Sequence, residues 1–183
     1  MSIIPDNKDW TWTIRAQCPD CGYNGATFAA RDAAHAVRGL AMRWPTIIAK
    51  HPAPTARPNE STWAPIEYAC HVRDVFRLYE YRLCLMLTHD DPTFPKWDQD
   101  ETALSDNYLA QDSDVVCGEL RHAGLSLGAA FDRVGPNDWP RTGQRSDNKS
   151  FTIETFAVYM VHDPWHHLWD VSGVPPDAAA LLA

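Results

Sequence analysis

Apolar residues recur along this chain at steps of three and four in four long stretches, a rhythm that predicts helices. The first stretch runs from about Thr27 to His51, with Phe28, Ala34, Val37, Leu40, Ala41, Trp44 and Ile48 on one stripe. Pro45 lies inside it and is expected to bend it, because proline lacks the amide donor and crowds the preceding turn. The second stretch runs from about Pro65 to Leu87, with Ala69, Val72, Phe76, Tyr79, Leu83 and Met86 in phase. Pro65 suits a first turn, and Glu67 stands where a capping-box acid would, although Ala64 offers no hydroxyl to complete the box. The third runs from about Ser113 to Val134 and is ended by Gly135-Pro136. The fourth runs from about Thr152 to Val171, with Thr152 as its N-cap and Gly173 and Pro175-Pro176 closing it.

The segments between these stretches are rich in Pro, Asp and Asn. The one from Thr88 to Asp112 is long enough to cross over a bundle. No segment alternates well enough to predict a strand. The expected fold is therefore all-α, a four-helix bundle with a long crossover loop. It forms a single domain over residues 1–183, in which residues 1–25 are an N-terminal extension carrying a Cys-x-x-Cys pair.

Composition narrows the partners. Hydrophobic residues make up 45% of the 183 residues, enough for a packed core. The net charge of −8, with no basic tract interleaved with aromatics, argues against nucleic acid and against an anionic membrane surface. No apolar run approaches the roughly 20 residues of a bilayer span, and the start of the chain lacks the pattern of a secretion signal. With 5 cysteines, an odd count, three of them inside helical patterns, a cytoplasmic protein is expected.

The chemistry concentrates in "VYMVHDPWHHLWDV". His162 and His166 are four residues apart, which puts both imidazoles on one face of a helix, about one turn apart. His71, near the start of the second helix, is the best third ligand, since bundles build metal sites from facing helices. Three imidazoles leave a divalent ion (Zn, Ni or Fe) with an open position. His167 competes with His166 as ligand, and all of these histidines read equally as core residues. Asp74 and Asp170 stand at helical spacing from His71 and His166, where they would orient an imidazole or simply solvate the surface. Cys18 and Cys21 in "CPDCGYNG" have the shape of a zinc knuckle but supply only half of a ligand set. A histidine, another subunit, a disulfide or no metal at all would complete the picture.

On the motifs "WAPIEYACHVRDV", "WPRTGQRSD", "CPDCGYNG" and "FTIETFAVYMVHDPWHHLWDV", the sequence resembles the DinB/YfiT-like superfamily of metal-binding four-helix proteins, in the branch common in actinobacteria. The resemblance implies one histidine in the second helix and an HxxxH in the last, positions held here by His71, His162 and His166. It also implies thiol chemistry, since relatives include isomerases and S-transferases that use mycothiol or bacillithiol. The leading expectation is a metal-dependent transferase or isomerase joining a small thiol to an electrophile, with Arg141 and Arg145 of the loop before the last helix holding a carboxylate. A metal-dependent hydrolase, or a non-enzymatic stress-related metal-holding protein, is the alternative. Pairing of two copies through a helix face, as a homodimer, completes the expectations.

Overall fold

The computed structural model describes residues 8–177. Four long helices, α1 (Ala33–Lys50), α2 (Pro65–Thr88), α4 (Ser113–Asp132) and α5 (Ile153–Ser172), form a bundle. A short helix, α3 (Gln99–Ser105), lies in the crossover between α2 and α4. Helices α1 and α2 each pack against both α4 and α5 and touch one another little. The interior is filled by the apolar faces of these helices, including Leu40, Trp44, Phe76, Leu83, Leu120, Leu127 and Phe156, all essentially excluded from solvent.

Close packing of α1 on α4 depends on a missing side chain. A Cβ at Gly124 would stand 2.4 Å from Ala41 Cβ, so any larger residue would push the two helices apart. Among the described residues no helix is long and apolar enough to cross a membrane.

Local signals account for most helix limits. The Thr152 hydroxyl accepts from the Thr155 amide at 3.1 Å and caps α5. Glu67 accepts from the Ala64 amide at 2.9 Å, the half of the capping box that needs no hydroxyl at Ala64. Arg57 joins the same carboxylate at 2.7 Å, so the buried Glu67 charge is paired. Both Pro45 and Pro164 lie inside helices that continue through them.

Two expectations need correction. Helix α1 does not begin at Thr27; residues 27–29 lead into a single 3-10 turn, Ala30–Asp32, and the α-helix follows. The chain also contains a small sheet where none was expected. Strand β1 (Thr93–Phe94) runs parallel to β2 (Thr142–Arg145), which pairs antiparallel with β3 (Lys149–Thr152), Gly143 facing Phe151. Elements of two and four residues are too short to show a period of two. The sheet matters for function because β3 runs directly into α5, and so sets where that helix starts.

Candidate metal centres

Helix α5 carries four side chains of types that can bind metal, His162, Asp163, His166 and His167, within one and a half turns. Successive helical residues point about 100° apart, so His162 and His166 share one face while Asp163 and His167 share the next. The two faces meet different partners. Asp163 and His167 turn toward α2 and meet His71; His162 and His166 turn toward the N-terminal segment and meet Cys18 and Cys21. Within each group the ligand atoms lie within 4.8 Å of one another. The trio His71, His162 and His166 expected from sequence is thus divided between two clusters. His71 sits with Asp163 and His167, and the other two histidines sit with the cysteine pair.

In the first cluster His71 Nε2 lies 3.2 Å from Asp163 Oδ1, and His167 Nε2 lies 3.7 Å from the same oxygen. The other nitrogen of His167, Nδ1, donates to Asp170 Oδ2 at 2.8 Å, which fixes the tautomer and leaves Nε2 turned toward the cluster. His71 is fully buried, held between Trp63 and a Trp97 ring stacked at 5.3 Å. The Asp163 side chain keeps 33% exposure and that of His167 18%, so the cluster opens on one side. Loss of solvation works against the Asp163 carboxylate, but His71 and His167 beside it outweigh that and hold its pKa below the usual carboxylate range.

The open side faces a cavity of about 1090 Å³. Its walls include Tyr68, Trp97 and Trp169, and two guanidinium groups, Arg82 and Arg145. Arg82 is buried, stacks over Phe94 and Tyr79, and has its pKa lowered by burial and by the like charge of Arg145. Arg145 is gripped by Asp147 through bonds of 2.8 and 3.0 Å. Arg141 stands elsewhere. It donates to the carbonyls of Met86 and His89, both at 2.7 Å, and so binds the start of β2 to the end of α2. Of the two arginines assigned to ligand binding from sequence, only Arg145 lines the cavity. Asp74 is likewise occupied away from His71, by Arg73 at 2.9 Å and by the Tyr108 hydroxyl at 2.6 Å.

In the second cluster Cys18 and Cys21 lie on a turn closed by Gly22 N–H to the Cys18 carbonyl at 3.0 Å and by Cys18 N–H to the Tyr23 carbonyl at 2.7 Å. Gly22 takes a φ of 73°, which a side chain would oppose. The turn is docked on α5 by the Tyr23 hydroxyl, donating to the Val158 carbonyl at 2.8 Å, and by the Trp165 indole, donating to the Cys21 carbonyl at 3.1 Å. Burial, then the neighbouring His166, pushes His162 down to about 4, and burial also lowers His166, so both imidazoles are neutral near pH 7.

Asp163 and Arg82 were not singled out from the sequence. Asp163 is one acid among 24 Asp and Glu residues, and only its spacing of four from His167 marks it. Arg82 reads as one more charge on a helix.

No protein-family model matches the chain, and no curated protein matches it in sequence. Among solved structures, YfiT from Bacillus subtilis, described as a probable metal-dependent hydrolase with an unusual four-helix bundle topology, matches with a TM-score of 0.71. The match covers 79% of this chain and 84% of YfiT at 14% identity, a likeness of fold that bears out the four-helix bundle.

Proposed function

We propose that this chain is a metal-dependent hydrolase of small, carboxylate-bearing molecules, with a divalent ion held by His71, Asp163 and His167. The observation that carries this reading is the convergence of those three donors, with Asp163 and His167 on the wall of a cavity that also holds Arg82 and Arg145, and His71 buried just behind them. The donor set fits a divalent ion. Two imidazoles and one carboxylate suit Zn, Ni or Fe, and three protein ligands leave positions open. Such an ion supplies Lewis acidity, lowering the pKa of a nucleophile bound to it, water above all.

The chain's own residues do the rest. Asp163 brings the negative charge that partly offsets the ion. Asp170 keeps the proton of His167 on Nδ1, away from the ion. Arg145, fixed by Asp147, presents a planar cation to a substrate carboxylate, and Trp97 and Tyr68 offer flat apolar surfaces elsewhere in the same cavity, against His71 and His167. YfiT, which shares the fold, is described as a probable hydrolase, and that supports hydrolysis over other uses of the ion.

Thiol transfer is the second reading. A cavity of about 1090 Å³ has room for two small reactants, a thiol such as mycothiol or bacillithiol and its electrophile. The test is turnover of a panel of small carboxylate-bearing amides and esters by the metal-loaded protein. His71→Ala or His167→Ala should lower kcat/KM at least ~100-fold, and Arg145→Met should raise KM about tenfold with kcat little changed. If His71→Ala turns over as wild type does, the assignment fails. If the panel is inert and a thiol shifts the spectrum of a cobalt ion in the cavity, thiol transfer replaces hydrolysis.

A further inference from the structure

We propose that Cys18, Cys21, His162 and His166 hold a structural zinc ion that fastens the N-terminal segment to α5, separate from the ion proposed for the cavity. The inference does not depend on the cavity reading, because the two clusters share no ligand.

Geometry carries the argument. Zinc binds thiolate sulfur at about 2.3 Å and imidazole nitrogen at about 2.0–2.1 Å, so the sulfur–nitrogen edge of a tetrahedral site is about 3.6 Å. Cys18 Sγ lies 3.6 Å from His166 Nδ1, and all four residues have a ligand atom within 4.8 Å of one another. Two thiolates and two imidazoles complete the coordination of zinc and leave no position for substrate. Burial agrees on the sulfur side: Cys18 and Cys21 are 0% exposed and His162 is 4% exposed, while the His166 side chain keeps 12% exposure where the two histidines reach the cavity.

The polar inventory points the same way. His162 Nε2 is buried and has no hydrogen-bond partner among the described residues, an arrangement that costs stability unless something binds that nitrogen. Both cysteines are free thiols. On the far side of His166, Nε2 faces Asp170 Oδ1 at 3.7 Å, too long for a hydrogen bond but close enough for the carboxylate charge to favour a metal-bound imidazole. The turn around Gly22 and its docking through Tyr23 and Trp165 hold the two sulfurs in place without the ion.

The chemistry of sulfur provides a clean probe, since only this cluster contains it. Loading the metal-free protein with cobalt should produce a thiolate-to-cobalt charge-transfer band, retained in His71→Ala and lost in Cys21→Ser. Elemental analysis of zinc-loaded protein should show about two ions per chain in wild type and about one in each variant. If Cys21→Ser does not fold, X-ray absorption at the zinc edge of His71→Ala settles the matter, with about two sulfur neighbours expected. Absence of the cobalt band, or a zinc shell without sulfur, overturns the proposal and leaves a hydrogen-bonded cluster only. A full cobalt band together with unchanged zinc content in His71→Ala would support this site and overturn the cavity ion instead.

Discussion

The two donor clusters on α5 differ in what lies on their far side. His162 and His166 back onto a turn that buries both sulfurs and supplies two further donors, while their outer edges reach the cavity; Asp163 and His167 line the same cavity and have only the buried His71 behind them. One turn of helix therefore serves two ends, because residues one apart point in different directions while residues four apart point together. A full set of four donors suits an ion that holds structure, and a set of three suits an ion that meets a substrate.

Metal removal should separate the two most sharply. Stripping zinc from the four-donor cluster takes away a ligand that binds the folded chain more tightly than the unfolded one, in which His162 and His166 lie far from the cysteines along the chain. At zinc a thousand-fold above its dissociation constant this removes about 4 kcal/mol, or about 8–16 °C in Tm. Calorimetry of the chelated and zinc-loaded His71→Ala protein checks this, and a Tm shift under 2–3 °C or so would mean that the cluster adds little.

Acid should act next. In the metal-free chain His162 is pushed down to about 4 from 6.5, so it stays neutral when folded and takes up a proton when unfolded. Its contribution is complete above pH 6.5 and is lost as pH falls toward 4, because the unfolded chain then binds more protons. Urea midpoints measured on metal-free protein should fall across that window by an amount worth on the order of 2–3 kcal/mol. A flat profile there would break the picture of two neutral buried imidazoles.

The smallest effect sharpens the comparison, since it concerns the residue the clusters share. Asp170 gives Oδ2 to His167 and Oδ1 to His166, at 2.8 and 3.7 Å. Asp170→Asn should weaken the cavity ion about 10–100-fold and the cysteine-bound ion less, following the two distances. Competition with a metal chelator on each single-site variant measures both, and equal losses would show that Asp170 does not favour one cluster.

Much of the bundle was legible in the sequence, because its helices announce themselves through stripe and punctuation. Pro65, Thr152 and Gly173 mark real helix ends. What was missed is short or polar. Thr93–Phe94 cannot display alternation, and Gln99–Ser105 has almost no apolar stripe, being placed by the Asp98 cap at its start. At the metal centres the sequence supplied the residue types but not the grouping. The spacings 162/166 and 163/167 are equally good, and which pair meets His71 depends on the rotation of α5 about its axis. That rotation is set by packing and by the strand that feeds the helix. For the same reason the cysteine turn showed only half of its ligands, the other half lying far along the chain.

That separation bears on how the protein is made. Tyr23 and Val158, joined by a hydrogen bond, are 135 residues apart, and Cys18 and His166 are 148 apart. During synthesis the cysteine turn leaves the ribosome early and waits, with its thiols unprotected, until nearly all the remaining helices have followed. Contacts of such long range carry a large loop-closure entropy, which slows folding. The seam between residues 18–23 and α5 thus cannot close before α5 has been made, and until then the two thiols lack the cover that the folded chain gives them.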